Sequence, residues 1–161
     1  MVRLFESKPR LDFTNWLFGF TNYSLISVAL YSTWEIFIEP FTMTKILIID
    51  DDPDVRTLMN SLMQKQGYEV ETASKKEEVF SKLHAFQPSV VLLDVLLSGA
   101  DGREICQEIK LNEETRHIPV LMFSAHPGAA ENIDSYGADD FVSKPFNTGV
   151  LLEKLERLVA K

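Results

Sequence analysis

Three consecutive carboxylates, Asp50, Asp51 and Asp52, directly follow a run of branched apolar residues at 46–49. A continuous apolar run of this kind is typical of a strand buried on both faces, as in a parallel sheet covered by helices. Side chains at the carboxyl end of such a strand lie where open α/β sheets bind ligands. Packing gives no reason to place three like charges together, whereas a cation lowers the free energy of the ionised cluster. The sequence therefore predicts a cation site at this edge of the sheet.

Polar side chains also end three later apolar runs, at Asp94, Ser124 and Lys144. Taken singly, such residues commonly serve as helix caps, turn residues or solvated charges. Because the carboxyl ends of parallel strands meet at one edge, however, four of the five predicted strands would bring a polar or charged group to the same place. Such a convergence indicates a functional site.

From residue 43 onward, strand patterns alternate with helical apolar stripes. Five strands and five helices in strict alternation predict right-handed crossovers and a doubly wound parallel α/β sheet that is covered on both faces. The fourth helix has the weakest pattern: it would begin near His126, carry Ile133 and Tyr136 on its apolar side, and end at Gly137.

Length and charge limit the possible functions. The 161 residues suit one domain with a modest appendage, and a net charge of −8 argues against direct binding of nucleic acid or of anionic lipid. The single cysteine, Cys106, excludes an internal disulfide and is typical of the reducing cytosol. We therefore expect a cytoplasmic protein.

Residues 1–42 differ from the rest of the chain. The stretch from Phe13 to Trp34 carries no charge and is long enough to span a bilayer, but many polar residues interrupt it. It is also too long and polar for a signal peptide. We interpret 1–42 as an extension outside the fold, with a mis-assigned start codon or a weak membrane segment as the alternatives. The domain itself is predicted at 43–161.

Four segments of the chain, taken together, resemble the receiver domain of bacterial two-component response regulators, of which the stand-alone chemotaxis regulator is the best-known example. They are IIDDDPDVR at 48–56, VVLLDVLLSGADG at 90–102, MFSA at 122–125 and DDFVSKPF at 139–146. The resemblance runs from Lys45 to the C-terminus. It implies a flavodoxin-like fold with strand order 2-1-3-4-5.

The resemblance also implies roles for the acidic residues. Asp94 corresponds to the phospho-accepting nucleophile, which forms an acyl phosphate. Asp51 would bind Mg²⁺ directly, Asp50 mainly through water, and Asp94 and the backbone carbonyl of Leu96 would complete the protein's share. These oxygen ligands suit an ion that retains several waters.

The family's switch residues have counterparts here too. Lys144 and the Ser124 hydroxyl would each contact a phosphoryl oxygen, and Phe141 is the switch aromatic whose inward movement accompanies that of Ser124. Pro145 would follow a cis peptide bond that aims Lys144 inward. Contacts made only after phosphoryl transfer can shift a two-state equilibrium.

Three positions bear on how this chain departs from the family. Ser98 replaces a frequent proline, so the geometry of its turn is expected to differ. Leu96 and His126 occupy the positions that tune loss of the phosphoryl group. Since the apolar Leu96 side chain cannot position an attacking water, we expect a phosphorylated state that lasts minutes or longer.

The resemblance implies a stand-alone receiver that accepts a phosphoryl group from a sensor histidine kinase or a histidine phosphotransfer protein. Phosphorylation would then change the affinity of one face, built from the fourth helix, fifth strand and fifth helix, for a downstream protein. Dimerisation on phosphorylation is left open. The domain would catalyse only its own phosphorylation and dephosphorylation.

Several alternatives remain at this point. A relay intermediate passing the phosphoryl group to another histidine needs the same site, and a binding module that is never phosphorylated would keep the same fold. A flavodoxin-like cofactor enzyme lacks support, because three acids after the first strand would repel a cofactor phosphate. A metal-dependent phosphatase would need an acid where this chain has Leu96.

Overall fold

The structure is a computed structural model that describes residues 43–126 and 128–160, so the predictions made for residues 1–42 lie outside it. The described residues form a five-stranded sheet, a short hairpin, four α-helices and one 3₁₀ helix. In chain order the elements are β1 (Lys45–Ile49), α1 (Pro53–Lys65), β2 (Glu69–Ala73), α2 (Lys76–Phe86), β3 (Val90–Asp94), β4 (Leu96–Leu97), β5 (Ala100–Asp101), α3 (Gly102–Leu111), β6 (Val120–Ser124), the 3₁₀ helix Ile133–Tyr136, β7 (Asp140–Ser143) and α4 (Thr148–Val159).

The five main strands are all parallel and lie in the order β2-β1-β3-β6-β7. The strands β4 and β5 pair only with each other, in an antiparallel hairpin. Counting the main sheet alone, the order is therefore 2-1-3-4-5. The predicted flavodoxin-like architecture is confirmed.

Helices cover both faces of the sheet because the central strands are apolar on both sides. Ile46 and Ile48 of β1 pack in a cluster with residues of α1 and α4, whereas Leu47 and Ile49 pack in a second cluster with residues of α2 and α3. All four side chains are fully buried. Burial of one such side chain contributes about 1.5–3 kcal/mol, so β1 alone anchors both layers of the core.

The structure differs from the prediction in the fourth helix. Between His126 and Gly137 the described residues form turns and the single 3₁₀ helix, with no α-helix. Asn132, directly before the 3₁₀ helix, has a left-handed backbone (φ 61°), which an α-helix does not accommodate. The segment has few apolar residues on one side, so packing does not offset the unfavourable local geometry.

Gly102 lies at a close approach between the end of β3 and the start of α3. Its backbone N–H donates to the carbonyl oxygen of Val95 at 2.8 Å. A Cβ atom at position 102 would lie 1.9 Å from the carbonyl oxygen of Asp94, which is far inside van der Waals contact. Glycine at this position therefore allows the first residue of α3 to pack against the backbone of Asp94.

We predict that Gly102→Ala lowers the free energy of unfolding by about 2 kcal/mol or more, because the backbone around Asp94 must move to admit a methyl group. Gly128→Ala is a suitable control, since a Cβ atom there meets no atom closer than 3.6 Å. Urea unfolding of both variants measures the difference. Equal stabilities would contradict the close approach at Gly102.

Candidate functional site

Three carboxylates meet at the carboxyl edge of the sheet. Oxygen atoms of Asp50, Asp51 and Asp94 all lie within 4.8 Å of one another, because β1 and β3 are hydrogen-bonded neighbours that end side by side. Asp50 and Asp94 are buried, at 1% and 7% exposed, while Asp51 is half-buried. Asp52 takes no part, because its carboxylate caps α1 by accepting from the N–H of Asp54 at 2.8 Å. The cluster predicted from the sequence is therefore present, without its third consecutive acid.

The local backbone and Lys144 hold the Asp50 carboxylate in place. One of its oxygens accepts from the N–H of Asp52 at 2.8 Å, and the other lies 3.0 Å from Nζ of Lys144. The guanidinium of Arg56 donates to the Asp50 carbonyl oxygen at 2.6 Å, which ties the first turns of α1 to the end of β1. The buried carboxylate thus has partners for both of its oxygens.

Lys144 is the cation at the centre of the site. Its ammonium lies 3.3 Å from Oδ2 of Asp94 as well as 3.0 Å from Asp50, and 4.3 Å from the centre of the Phe123 ring. The Lys144 backbone N–H donates to the Ser124 carbonyl oxygen at 2.7 Å, and the bond between Lys144 and Pro145 is cis. β7 therefore delivers the ammonium into the carboxylate cluster from the far side of β6.

The charges at the site balance incompletely. Burial raises the pKa of Asp94 above its usual value, and the neighbouring negative charge of Asp50 adds to the rise, while Lys144 acts in the opposite direction. One ammonium is thus too little to compensate two buried carboxylates and a third beside them. A further positive charge would stabilise the ionised cluster.

Ser98 makes a contact with Asp51 that the sequence patterns do not predict. Its backbone N–H donates to Oδ2 of Asp51 at 3.1 Å, and its hydroxyl donates to the same oxygen. These contacts, the hydroxyl above all, lower the pKa of Asp51 and so favour its ionised form. The sequence did hold one indication of this contact. Ser98 stands where the family often has proline, and serine has two hydrogen-bond donors that proline lacks.

The remaining predicted residues lie around this centre. Ser124 is buried at the end of β6, and its hydroxyl oxygen accepts from the N–H of His126 at 3.1 Å. The His126 ring accepts from the Gly128 N–H at 3.2 Å, so one ring nitrogen is already engaged within its own loop. Leu96 is exposed, and Phe141 is half-buried against the core cluster that includes α2 and α3.

The donor set matches a hard divalent cation. Three carboxylates offer oxygen ligands only, and oxygen is what Mg²⁺ and Ca²⁺ take in proteins. Asp51 also lines an open cleft of about 570 Å³, so this member of the cluster is accessible from solvent. The uncompensated negative charge gives the physical reason for an ion to bind there.

The comparisons with known proteins agree with this fold and site. The family model of the response regulator receiver domain matches residues 46–156. The chain is 34% identical over 121 residues to the DNA-binding dual master transcriptional regulator RpaA of Synechocystis, covering 74% of this chain and 50% of RpaA. The chain thus spans about half the length of the curated relatives it matches.

Solved structures show the same likeness. The chemotaxis protein CheY4 of Vibrio cholerae superposes with a TM-score of 0.67 at 29% identity, over 73% of this chain and 99% of CheY4. The response regulator TrrA of Thermotoga maritima, solved in complex with Mg²⁺ and BeF, gives 0.66 at 32% identity, over 72% of this chain and 99% of TrrA. This chain belongs to the response regulator receiver domain family, whose members are signalling domains of two-component systems.

No helix within the described parts of the chain, 43–126 and 128–160, has the length and apolarity needed to cross a membrane.

The raised pKa of Asp94 makes stability depend on pH. The unfolded chain releases this proton near the ordinary value of 3.8, whereas the folded protein holds it to higher pH, so stability is lost as pH rises from 3.8 through the folded value. We predict that Asp94→Asn is more stable than the wild type at neutral pH without divalent cations. The difference should shrink as the pH falls toward 3.8.

Urea unfolding between about pH 7 and pH 4 measures this difference. Glu113→Gln removes the same charge from an exposed position and serves as the control. An Asp94→Asn variant that is less stable than wild type at neutral pH would show that Asp94 ionises without cost in the fold.

Proposed function

We propose that this chain accepts a phosphoryl group on Asp94 from a phosphohistidine of a sensor kinase or a phosphotransfer protein. The observation that carries the proposal is the grouping of Asp94, two further carboxylates and Lys144 at one sheet edge. Capping or packing would not require a half-buried ammonium between two buried carboxylates. Phosphoryl transfer does, because it needs an ionised nucleophile and a cation beside the incoming oxygens.

Mg²⁺ fits the acidic cluster by its ligand chemistry. Asp51, Asp94 and the backbone carbonyl of Leu96 would bind the ion directly, and Asp50 would bind it mainly through water. When bound, the ion offsets the repulsion between the carboxylates and an anionic donor. One Asp50 oxygen accepts from the Asp52 N–H and the other contacts Lys144, so the protein already orients this carboxylate.

In the transfer step, a carboxylate oxygen of Asp94 attacks the phosphorus atom of the donor phosphohistidine. The P–O bond forms, the P–N bond breaks, and its electron pair remains on the imidazole of the donor. The Lys144 ammonium, 3.3 Å from Asp94 before transfer, pairs with a phosphoryl oxygen afterwards. The Ser124 hydroxyl donates to another phosphoryl oxygen.

These new contacts give the site a means of changing a distant surface. Ser124 ends β6, and Phe141 lies in β7, which pairs with β6. Movement of the Ser124 side chain toward the phosphoryl group leaves space that the half-buried Phe141 ring can occupy. The face formed by the 3₁₀ helix, β7 and α4 then binds a downstream protein or a second phosphorylated copy with altered affinity.

The downstream target of the domain could be a protein or nucleic acid. RpaA is described as DNA-binding, and this chain matches only 50% of it. We propose that the receiver domain, with limits at 43–161, acts on a protein partner as a stand-alone module in the cytoplasm and not on nucleic acid directly. The net charge of −8 supports this assignment.

Incubation with acetyl phosphate tests phosphoryl acceptance without a known kinase. We expect the intact mass of the full chain to rise by one phosphoryl group in the presence of Mg²⁺ and to stay unchanged with EDTA. Asp94→Asn, which keeps the shape of the side chain, should gain nothing. A folded wild-type protein that takes up no phosphoryl group, or an Asp94→Asn variant that does, would refute the proposal.

The exposed, apolar Leu96 leads to a prediction for the lifetime of the phosphorylated state. Its side chain offers no hydrogen bond to an attacking water, and the His126 ring is engaged by the Gly128 N–H. We therefore expect decay over minutes or longer, and decay about tenfold faster in Leu96→Gln, whose amide can orient water. Leu96→Met is the apolar control. Decay of the wild type within seconds would disprove this role for Leu96.

A further inference from the structure

Ser98 lies at the tip of the β4–β5 hairpin, where it faces the acidic cluster. Leu97 pairs with Ala100, so Ser98 and Gly99 alone connect the two strands. Gly99 has a positive φ of 83°, as the second residue of such a turn often does. The N–H and the hydroxyl of Ser98 both donate to one oxygen, Oδ2 of Asp51, across 47 residues of sequence.

The two bonds connect the two chain segments that carry the candidate cation ligands. Asp50 and Asp51 follow β1, whereas Leu96, whose carbonyl is the proposed backbone ligand, lies in β4 two residues before Ser98. Because both donors bind Oδ2, Ser98 leaves the other oxygen of Asp51 without a contact from the hairpin. A carboxylate held by outer partners in one orientation loses less conformational entropy when it binds a metal.

We propose that Ser98 is a positioning residue for the cation site: it fixes the orientation of the Asp51 carboxylate and holds the hairpin that carries the Leu96 carbonyl against the end of β1. This inference rests on the cation site of the proposed function. In this role Ser98 acts through Asp51, which is the residue that both of its donors contact. Proline at this position has no N–H and no hydroxyl, so a chain with proline there cannot form either bond.

Three substitutions separate the donors of Ser98 from its place in the turn. Ser98→Ala removes the hydroxyl and keeps the N–H, and Ser98→Thr retains both donors. Ser98→Pro removes both donors but suits the first position of a turn whose second residue is the positive-φ Gly99. A purely structural role in the turn would therefore leave the proline variant unaffected.

The measurement is the Mg²⁺ dissociation constant of the full chain, from amide chemical shifts in NMR titrations without any phosphodonor. We expect about tenfold weaker binding for Ser98→Ala, the lower end of the effect of outer-shell partners, because the bond is exposed to water. Ser98→Pro should bind still more weakly, and Ser98→Thr should bind like the wild type. The same spectra report whether each variant is folded.

The outcomes are distinct. Unchanged or tighter Mg²⁺ binding in folded Ser98→Ala overturns the positioning role and leaves the proposed function intact. Loss of affinity in Ser98→Ala with recovery in Ser98→Thr supports it, even where Ser98→Pro fails to fold. A wild-type chain without saturable Mg²⁺ binding removes the cation site itself, and with it both the metal part of the proposed function and this inference.

Discussion

The contact between Lys144 and the carboxylates of Asp50 and Asp94 is the constraint on which the rest of the site depends. Two buried acids beside a third would repel one another strongly, and a single ammonium 3.0 and 3.3 Å away is what makes their burial possible. The compensation is partial, as the raised pKa of Asp94 shows. The remaining negative charge favours a cation, which in the proposed function then offsets the repulsion between the carboxylates and an anionic phosphoryl group. Without an ion, the site therefore favours the cation that it is proposed to bind.

The apolar core offsets the free-energy cost of burying these charged groups. Both faces of β1 and β3 are buried under helices, and these contacts are apolar, not ionic. Charge at the sheet edge can consequently change on binding or phosphorylation without unfolding the core. A small movement remains possible at β6 and β7, where Ser124 and Phe141 lie in neighbouring strands.

Much of this could be predicted from the sequence, for a definite reason. Continuous apolar runs that end in Asp50, Asp94, Ser124 and Lys144 specify both the parallel sheet and the edge at which those side chains meet. The segment before Gly137 could not be predicted as well, because its weak apolar pattern did not reveal the left-handed Asn132.

The contact between Ser98 and Asp51 joins residues 47 positions apart. This contact depends on the position of the β4–β5 hairpin relative to the end of β1. Neighbouring residues in the sequence do not indicate that position.

The burial of β1 on both faces has a consequence for how the sheet is aligned. Because Ile46, Leu47, Ile48 and Ile49 are all apolar, sliding the strand by one residue would exchange the two layers of the core without exposing any of these side chains. Hydrophobicity alone thus leaves the position of β1 along its neighbours poorly specified. A one-residue shift of β1, however, would place the Asp50 carboxylate among apolar side chains or separate it from Lys144. Either result would leave a buried charge unpaired, which costs free energy. Asp50 and Lys144, which are proposed to take part in the chemistry, therefore also specify the register of β1 in the sheet.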